Sequence, residues 1–256
     1  MSSTPSDPES VPVAPDAVRV WRGFRLASLS EETFFEKLGS IFIPGTVQIQ
    51  APVGLTAYLP SVLPRDKHPA APDEIALVFY RVQQSYDDAK KTVGGRAYSD
   101  LHGLVFDLTV SLSGWPGTFA GQLEAGGRYH LFDHEVDWQQ GVASAFVGVR
   151  SGGDPQSFLG GLADWLEAVQ RGGVTGTTPD GAVASASEDY FVYWEHWPDA
   201  AAAGSSLGPP PTDLVEHVYH ERFRPTPMEH GLWEFYDGLE VRGGESYQFQ
   251  FERHGA

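Results

Sequence analysis

At 256 residues the chain is long enough for one large domain or two small ones, and 41% hydrophobic against 20% charged residues favours a packed core over global disorder. Seventeen Lys and Arg stand against 34 Asp and Glu, a formal charge of −17, so phosphate backbones and anionic membrane surfaces are repelled and neither is an expected partner. The absence of cysteine removes disulfides, thiolate metal ligands, iron–sulfur clusters and a cysteine nucleophile, and it fits a cytoplasmic protein.

Met1–Asp16, rich in Ser, Pro, Asp and Val without a basic start or apolar centre, is no signal peptide and reads as a disordered tail. Val18–Leu26 reads as a strand. Ser28–Glu32 then supplies a hydroxyl cap and first-turn acids for a helix carrying Phe34, Phe35, Leu38, Ile41 and Phe42, expected to stop before Pro44. Gly54–Leu59 is a short strand, followed by a proline-rich loop. Glu74–Tyr80, nearly all apolar, is a strand buried on both faces. A helix from Gln84 to Val93 is closed by Gly94-Gly95, and Leu101–Val110 alternates as a strand.

After a Gly/Pro turn at Trp115-Pro116-Gly117, Gly127–Trp138 and Val142–Arg150 read as a hairpin. Asp154-Pro155 opens a helix to about Gln170, with Phe158, Leu159, Leu162, Trp165 and Leu166 repeating the 0, 1, 4, 7, 8 offsets of the first helix. Glu188–Trp197 is a strand of high aromatic density, Thr212–Phe223 reads as a helix, and Ser246–Arg253 as a final strand. No apolar run approaches the roughly 18 residues of a membrane helix.

The order is thus β-α-β-β-α-β over 17–115 and approximately β-α-β-α-β, with an added hairpin, over 116–256. This α+β pattern, carried by Val18–Phe42, Ile75–Tyr98 and Val142–Val169, resembles two ferredoxin-like repeats of the dimeric α/β-barrel superfamily in one chain. The resemblance implies two sheets packed face to face, and activities such as cofactor-free monooxygenation or isomerisation of small molecules. It also implies, as an alternative, haem chemistry of the chlorite dismutase and dye-decolourising peroxidase type, although the haem-contacting motifs of those enzymes are not seen in this sequence.

Candidate site residues come from titratable groups near aromatic side chains. On 188–197, Trp194 and His196 share one face, with Tyr193, Glu195 and Trp197 on the other, so His196 is a candidate general base and Glu195 a second acid/base group. Trp194, Trp197 and Tyr193 are candidate pocket walls. His130 and His134 share a face but lie roughly 13 Å apart at about 3.3 Å per residue, too far to share a metal, which leaves His134 as a single acid/base candidate. Arg22, in an otherwise apolar strand, is a candidate anchor for a substrate carboxylate, because its planar fork binds two oxygens. His217, His220 and Glu221 sit three to four apart, and His220 is the axial candidate if haem is bound, although the helical wheel turns it to solvent. No tight metal-ligand set is present, and no cofactor is obligatory.

Aromatic density and histidines on strand faces favour an enzyme acting on a small apolar or aromatic metabolite, and the resemblance implies that it is a monooxygenase-like oxidoreductase or an isomerase. A haem oxidoreductase and a non-catalytic binding or assembly module remain as alternatives. Self-association is optional, since tandem halves satisfy sheet-to-sheet packing within one chain.

Overall fold

Strand β1 (Val18–Gly23) sends Val18, Val20 and Arg22 to one side and Arg19 and Trp21 to the other, and this two-residue period sorts the layers of the whole molecule. The computed structural model describes residues 11–173, 176–224 and 247–248. After β1 come helix α1 (Glu31–Lys37), a π-helical turn (Leu38–Phe42), helix α2 (Ile43–Gln50), and strands β2 (Leu55–Val62) and β3 (Glu74–Tyr80). Helices α3 (Gln83–Lys91) and α4 (Val93–His102) lead to the edge strand β4 (Leu112–Gly114). The antiparallel order β2-β3-β1-β4 is that of a ferredoxin-like unit.

Short strands β5 (Gly117–Thr118) and β6 (Arg128–His130) precede the second unit. It comprises β7 (Val142–Arg150), α5 (Pro155–Gln170), β8 (Gly181–Ala186), β9 (Tyr190–Trp197), a single helical turn α6 (Ala200–Ala203) and β10 (Val215–Phe223). Its order β10-β7-β9-β8 repeats the first, with β6 and β5 added beyond β8. Strand β11 (Tyr247–Gln248) returns to the first sheet and pairs with β2.

Val20, Leu77 and Phe79 of the first sheet share one buried cluster with Ala145, Val192 and Trp194 of the second, so the sheets pack face to face. Phe34, Leu38 and Phe42 cover the outer face of the first sheet, over Trp21 and Ala76. Phe158, Leu162 and Trp165 cover the outer face of the second, over Phe191 and Tyr193. The chain is therefore a dimeric α/β-barrel arrangement of two ferredoxin-like units within one polypeptide. Helix starts follow the local chemistry: the Ser30 and Asp154 side chains accept from the backbone N–H groups of Thr33 and Ser157. Among the described residues no helix is long and apolar enough to cross a membrane.

Several sequence expectations are corrected. The tail is ordered from residue 11, where Val13 bridges to Val136 and Ala17 enters the core; Met1–Ser10 lies outside the described residues. Helical structure does not stop before Pro44. A π turn runs without a break into α2, its last bond made by the Ile43 N–H to the Leu38 carbonyl, so the helix continues through Pro44 although that residue has no N–H to give. Gly94-Gly95 does not close a helix but sits inside α4, whose start is capped by the Thr92 hydroxyl. A Cβ on Gly95 would collide with the Ala89 carbonyl, so glycine there lets α4 fold tightly back on α3. Leu101–Val110 is the end of α4 and a loop rather than a strand: Phe106 is buried, while Leu104, Leu108 and Val110 are exposed.

Gly127–Trp138 makes no hairpin with Val142–Arg150; β6 pairs with β8, and β7 pairs with β9 and β10. Thr212–Phe223 is not a helix but contains the edge strand β10, whose bulge between His217 and Tyr219 breaks the alternation that marks a strand. Of Ser246–Arg253 only Tyr247–Gln248 is described.

Candidate active site

The outer face of the first sheet carries polar groups beneath α2 and α4. Along β3 the period of two turns Ile75, Leu77 and Phe79 into the inter-sheet core, which leaves Glu74, Ala76, Val78 and Tyr80 toward the helices. Glu74, fully buried, accepts from Trp21 Nε1–H at 3.0 Å and lies 3.2 Å from the Tyr58 hydroxyl. Among the described residues no cation pairs with it: its two hydrogen bonds oppose the effect of burial without cancelling it, and desolvation drives the carboxyl up to about 8. Burial likewise holds the Tyr58 phenol well above its ordinary range, so its proton stays on oxygen at neutral pH.

Trp21 and Tyr58 form part of the wall of a cavity of about 50 Å³ between the sheet and helices α2, α3 and α4. That is room for a few water molecules or one small substituent. Tyr98 and His102 from α4 close the opposite side, and exposed Lys90 of α3 marks the side reached by solvent. Thr46 links the groups: its hydroxyl donates to the Phe42 carbonyl at 2.9 Å and accepts from the Tyr98 hydroxyl at 2.8 Å. The His102 ring packs edge-on against Trp21, Phe42 and Tyr98, and burial lowers its pKa to about 4. Its Nδ1–H donates to the Tyr98 carbonyl at 3.0 Å, so the neutral ring keeps an unprotonated Nε2. Arg19 lies over the Tyr86 ring at 4.1 Å, and its Nη2 donates to Ser113. The arrangement puts a phenol and a neutral imidazole in the wall of an aromatic cavity, with the raised Glu74 carboxyl bonded behind the phenol and the Trp21 indole.

The residues singled out from sequence lie elsewhere. His134 and His196 come together on an open depression of about 410 Å³ at the end of the second sheet, which Asp180 also lines. His196 Nε2–H donates to the Gln140 carbonyl at 2.8 Å, and Nδ1 lies 3.4 Å from Asp180 Oδ2. Glu195 is sealed under α5, accepting from Ser144 Oγ at 3.1 Å and from the Tyr193 hydroxyl at 3.3 Å. The Trp165 ring fills the space over Tyr193, with centroids 4.9 Å apart.

The three expected pocket walls are distributed among separate buried clusters and form no common wall: Tyr193 under α5, Trp194 between the sheets, Trp197 beside Val142 and Ala203. Arg22 also points between the sheets, away from the cavity that its neighbour Trp21 lines.

His220 stands exposed on the edge strand β10, not on a helix, with its ring against Phe146 at 6.0 Å. The cavity beside His102, of about 50 Å³, is far too small for a porphyrin. Among the described residues no three His, Asp or Glu side chains converge on a metal position.

No protein-family model matches the sequence, and no curated protein is measurably similar to it. Solved structures align over most of the chain. A candidate monooxygenase from Fusobacterium nucleatum is 11% identical, with 83% of this chain and 90% of that one covered and a TM-score of 0.39. A candidate monooxygenase from Lactobacillus acidophilus is 7% identical, with 84% and 92% covered and a TM-score of 0.33. A DypB variant from Rhodococcus jostii in complex with heme is 13% identical, with 87% and 97% covered and a TM-score of 0.35. Superpositions this loose carry no argument about chemistry; the fold assignment rests on the doubled strand order.

The residues that define the cavity were partly visible in sequence. Glu74 is the one acid in an otherwise apolar strand, a signal of a buried carboxyl. Nothing local in the sequence links it to Trp21 and Tyr58, which lie 53 and 16 residues away.

Proposed function

We propose that the chain is an enzyme that moves a proton on a small, single-ring aromatic metabolite in the cavity beneath the first sheet. The observation that carries this reading is the Glu74 carboxyl: fully buried, without a cation among the described residues, hydrogen-bonded by two residues that line the cavity, and raised to about 8. A carboxyl titrating there holds or releases its proton near neutral pH at little free-energy cost, which suits a general acid/base. When Glu74 is protonated on Oε1 it donates to the Tyr58 oxygen; when ionised it accepts from Tyr58. The proton between them therefore moves without rearranging heavy atoms, and Tyr58 carries the exchange to the cavity. Neutral His102 offers a second acceptor, and a ring bound against the aromatic wall displaces water from the reacting atoms.

The reaction class is abstraction of a proton from an acidic O–H or C–H beside the ring. In an isomerase-type reaction the same carboxyl returns the proton at another position. A monooxygenase-like oxidation begins with the same abstraction, with molecular oxygen as the oxidant. The closed cavity is smaller than a ring, so substrate enters as α3 and α4 shift apart from the sheet; their junction at Thr92 is extended rather than helical and supplies the hinge.

The test is exchange of deuterium from solvent into a panel of single-ring phenols and aryl ketones, followed by proton NMR. Wild-type protein should accelerate exchange for at least one member, and Glu74→Gln should slow it by about 10²-fold or more while keeping its folded spectrum. Exchange no faster than in buffer across the panel, or equal rates in wild type and Glu74→Gln, overturns the reading.

A further inference from the structure

Arg22 is the sole charged side chain of β1 facing the inter-sheet core, and it has no exposed surface. Its Nη1 reaches the Ala186 carbonyl at 3.5 Å and the Tyr190 hydroxyl is a weak partner of the guanidinium, while among the described residues Nε and Nη2 have no hydrogen-bond partner within 3.5 Å. These two nitrogens share one edge of the guanidinium, the edge that holds two oxygens of a single acid group side by side. The Tyr190 hydroxyl lies beside it, and the Tyr190 ring packs on Phe24.

A second guanidinium approaches from the other unit. Arg128 leaves β6 opposite Ser185 and lies across Gly114 of β4 so closely that a Cβ there would stand 2.8 Å from its Cζ. Its buried Nε is also without a partner among the described residues. Arg128 lies near enough to disfavour the charge on Arg22, yet among the described residues neither arginine pairs with a carboxylate. A fully buried Arg22 cation beside a half-buried Arg128, in a protein of charge −17, leaves a desolvation cost unmet at Arg22. Arginine stays charged in proteins, so loss of a proton does not relieve it.

The geometry points to an oxyanion site between the two sheets, in which the Nε/Nη2 edge of Arg22 grips two oxygens of a carboxylate or phosphate group and Arg128 Nε contributes from the second unit. The site lies on the opposite face of the first sheet from the cavity and is independent of the chemistry proposed there. Because each half supplies one arginine, a bound anion ties the two units together. The unpartnered nitrogens are closed to solvent, so a ligand enters as β4, an edge strand of the first sheet, parts from β6. Gly114, which leaves room for Arg128 to lie flat, sits at that edge.

Inorganic phosphate and acetate serve as separate probes. The full-length protein, dialysed into chloride buffer, is titrated with each at constant ionic strength and followed by thermal unfolding and by native mass spectrometry. A saturable rise in Tm, or a one-to-one anion adduct that survives dialysis, supports the site when it is present in wild type and weakened about tenfold or more in Arg22→Gln. The preferred probe tells phosphate from carboxylate as the natural group. Arg128→Gln is the second variant: should Arg22→Gln fail to fold, loss of the response in Arg128→Gln supports the site in its place. Equal responses in wild type and in the folded variants, or neither a shift nor an adduct in wild type, overturns the proposal.

Discussion

Replacing Glu74 with Gln changes how stability depends on pH, and the structure sets the size of the change. The carboxyl rises from an ordinary value of 4.5 to about 8 on folding. Between those values the unfolded chain has released this proton and the folded chain retains it, so the folded state binds more protons and stability falls as pH rises. The contribution is fully present below pH 4.5 and is lost progressively up to about pH 8. At about 1.4 kcal/mol per pH unit, the whole span amounts to about 5 kcal/mol, and the interval from pH 5 to pH 7 to about 3 kcal/mol. Gln preserves the shape and the acceptor for Trp21 Nε1–H but does not titrate. Urea unfolding of both proteins at half-unit pH steps measures the effect, because other titrating groups cancel in the difference. Glu74→Gln should gain on wild type by about 1.4 kcal/mol per pH unit across this window. A difference that stays flat with pH would refute the reasoning, since it would mean that the carboxyl is already ionised in the folded protein.

Further outcomes follow from other contacts. The His102 imidazole, enclosed by Trp21, Phe42 and Tyr98, should titrate near pH 4 by NMR; a midpoint near 6.5 would place it in solvent. Trp194→Ala, at the centre of the inter-sheet cluster, should cost about 3–5 kcal/mol in chemical denaturation, and a cost under 1 kcal/mol would contradict face-to-face packing. Gly23→Ala puts a Cβ 2.5 Å from Phe106 Cε1 and 2.8 Å from Trp21 Nε1, so it should displace Trp21 from Glu74, lower stability by about 1–3 kcal/mol and slow the exchange reaction. An unchanged Tm in that variant would mean the wall is loosely packed.

The layering was legible because it follows from repeated local chemistry. The matching helix offsets at Phe34 and Phe158, each after a β-branched run, correspond to α1 with its π turn and to α5, which cover equivalent faces of two sheets. The Asp154-Pro155 start lies where Asp154 caps α5. Errors arose where tertiary context outweighed local pattern. In β10 the bulge at His217 moves Val218 toward the inter-sheet core and leaves Val215 under α5, so the apolar residues mimic a helical arc. In α4 the glycines serve a close approach rather than a stop. The cavity was less legible still, because its carboxyl, indole, phenol and imidazole come from four elements whose meeting depends on strand register. His134 and His196 met for the same non-local reason, on an open depression rather than in an enclosed site.

The central claim is that Glu74 carries a proton at neutral pH beside the cavity. Carbon-13 NMR of selectively labelled glutamate, with the Glu74 signal assigned by its loss in Glu74→Gln, reads that proton directly. The account predicts a midpoint near pH 8 that shifts when a phenol is added. A midpoint near 4.5, unmoved by the phenol, would contradict it.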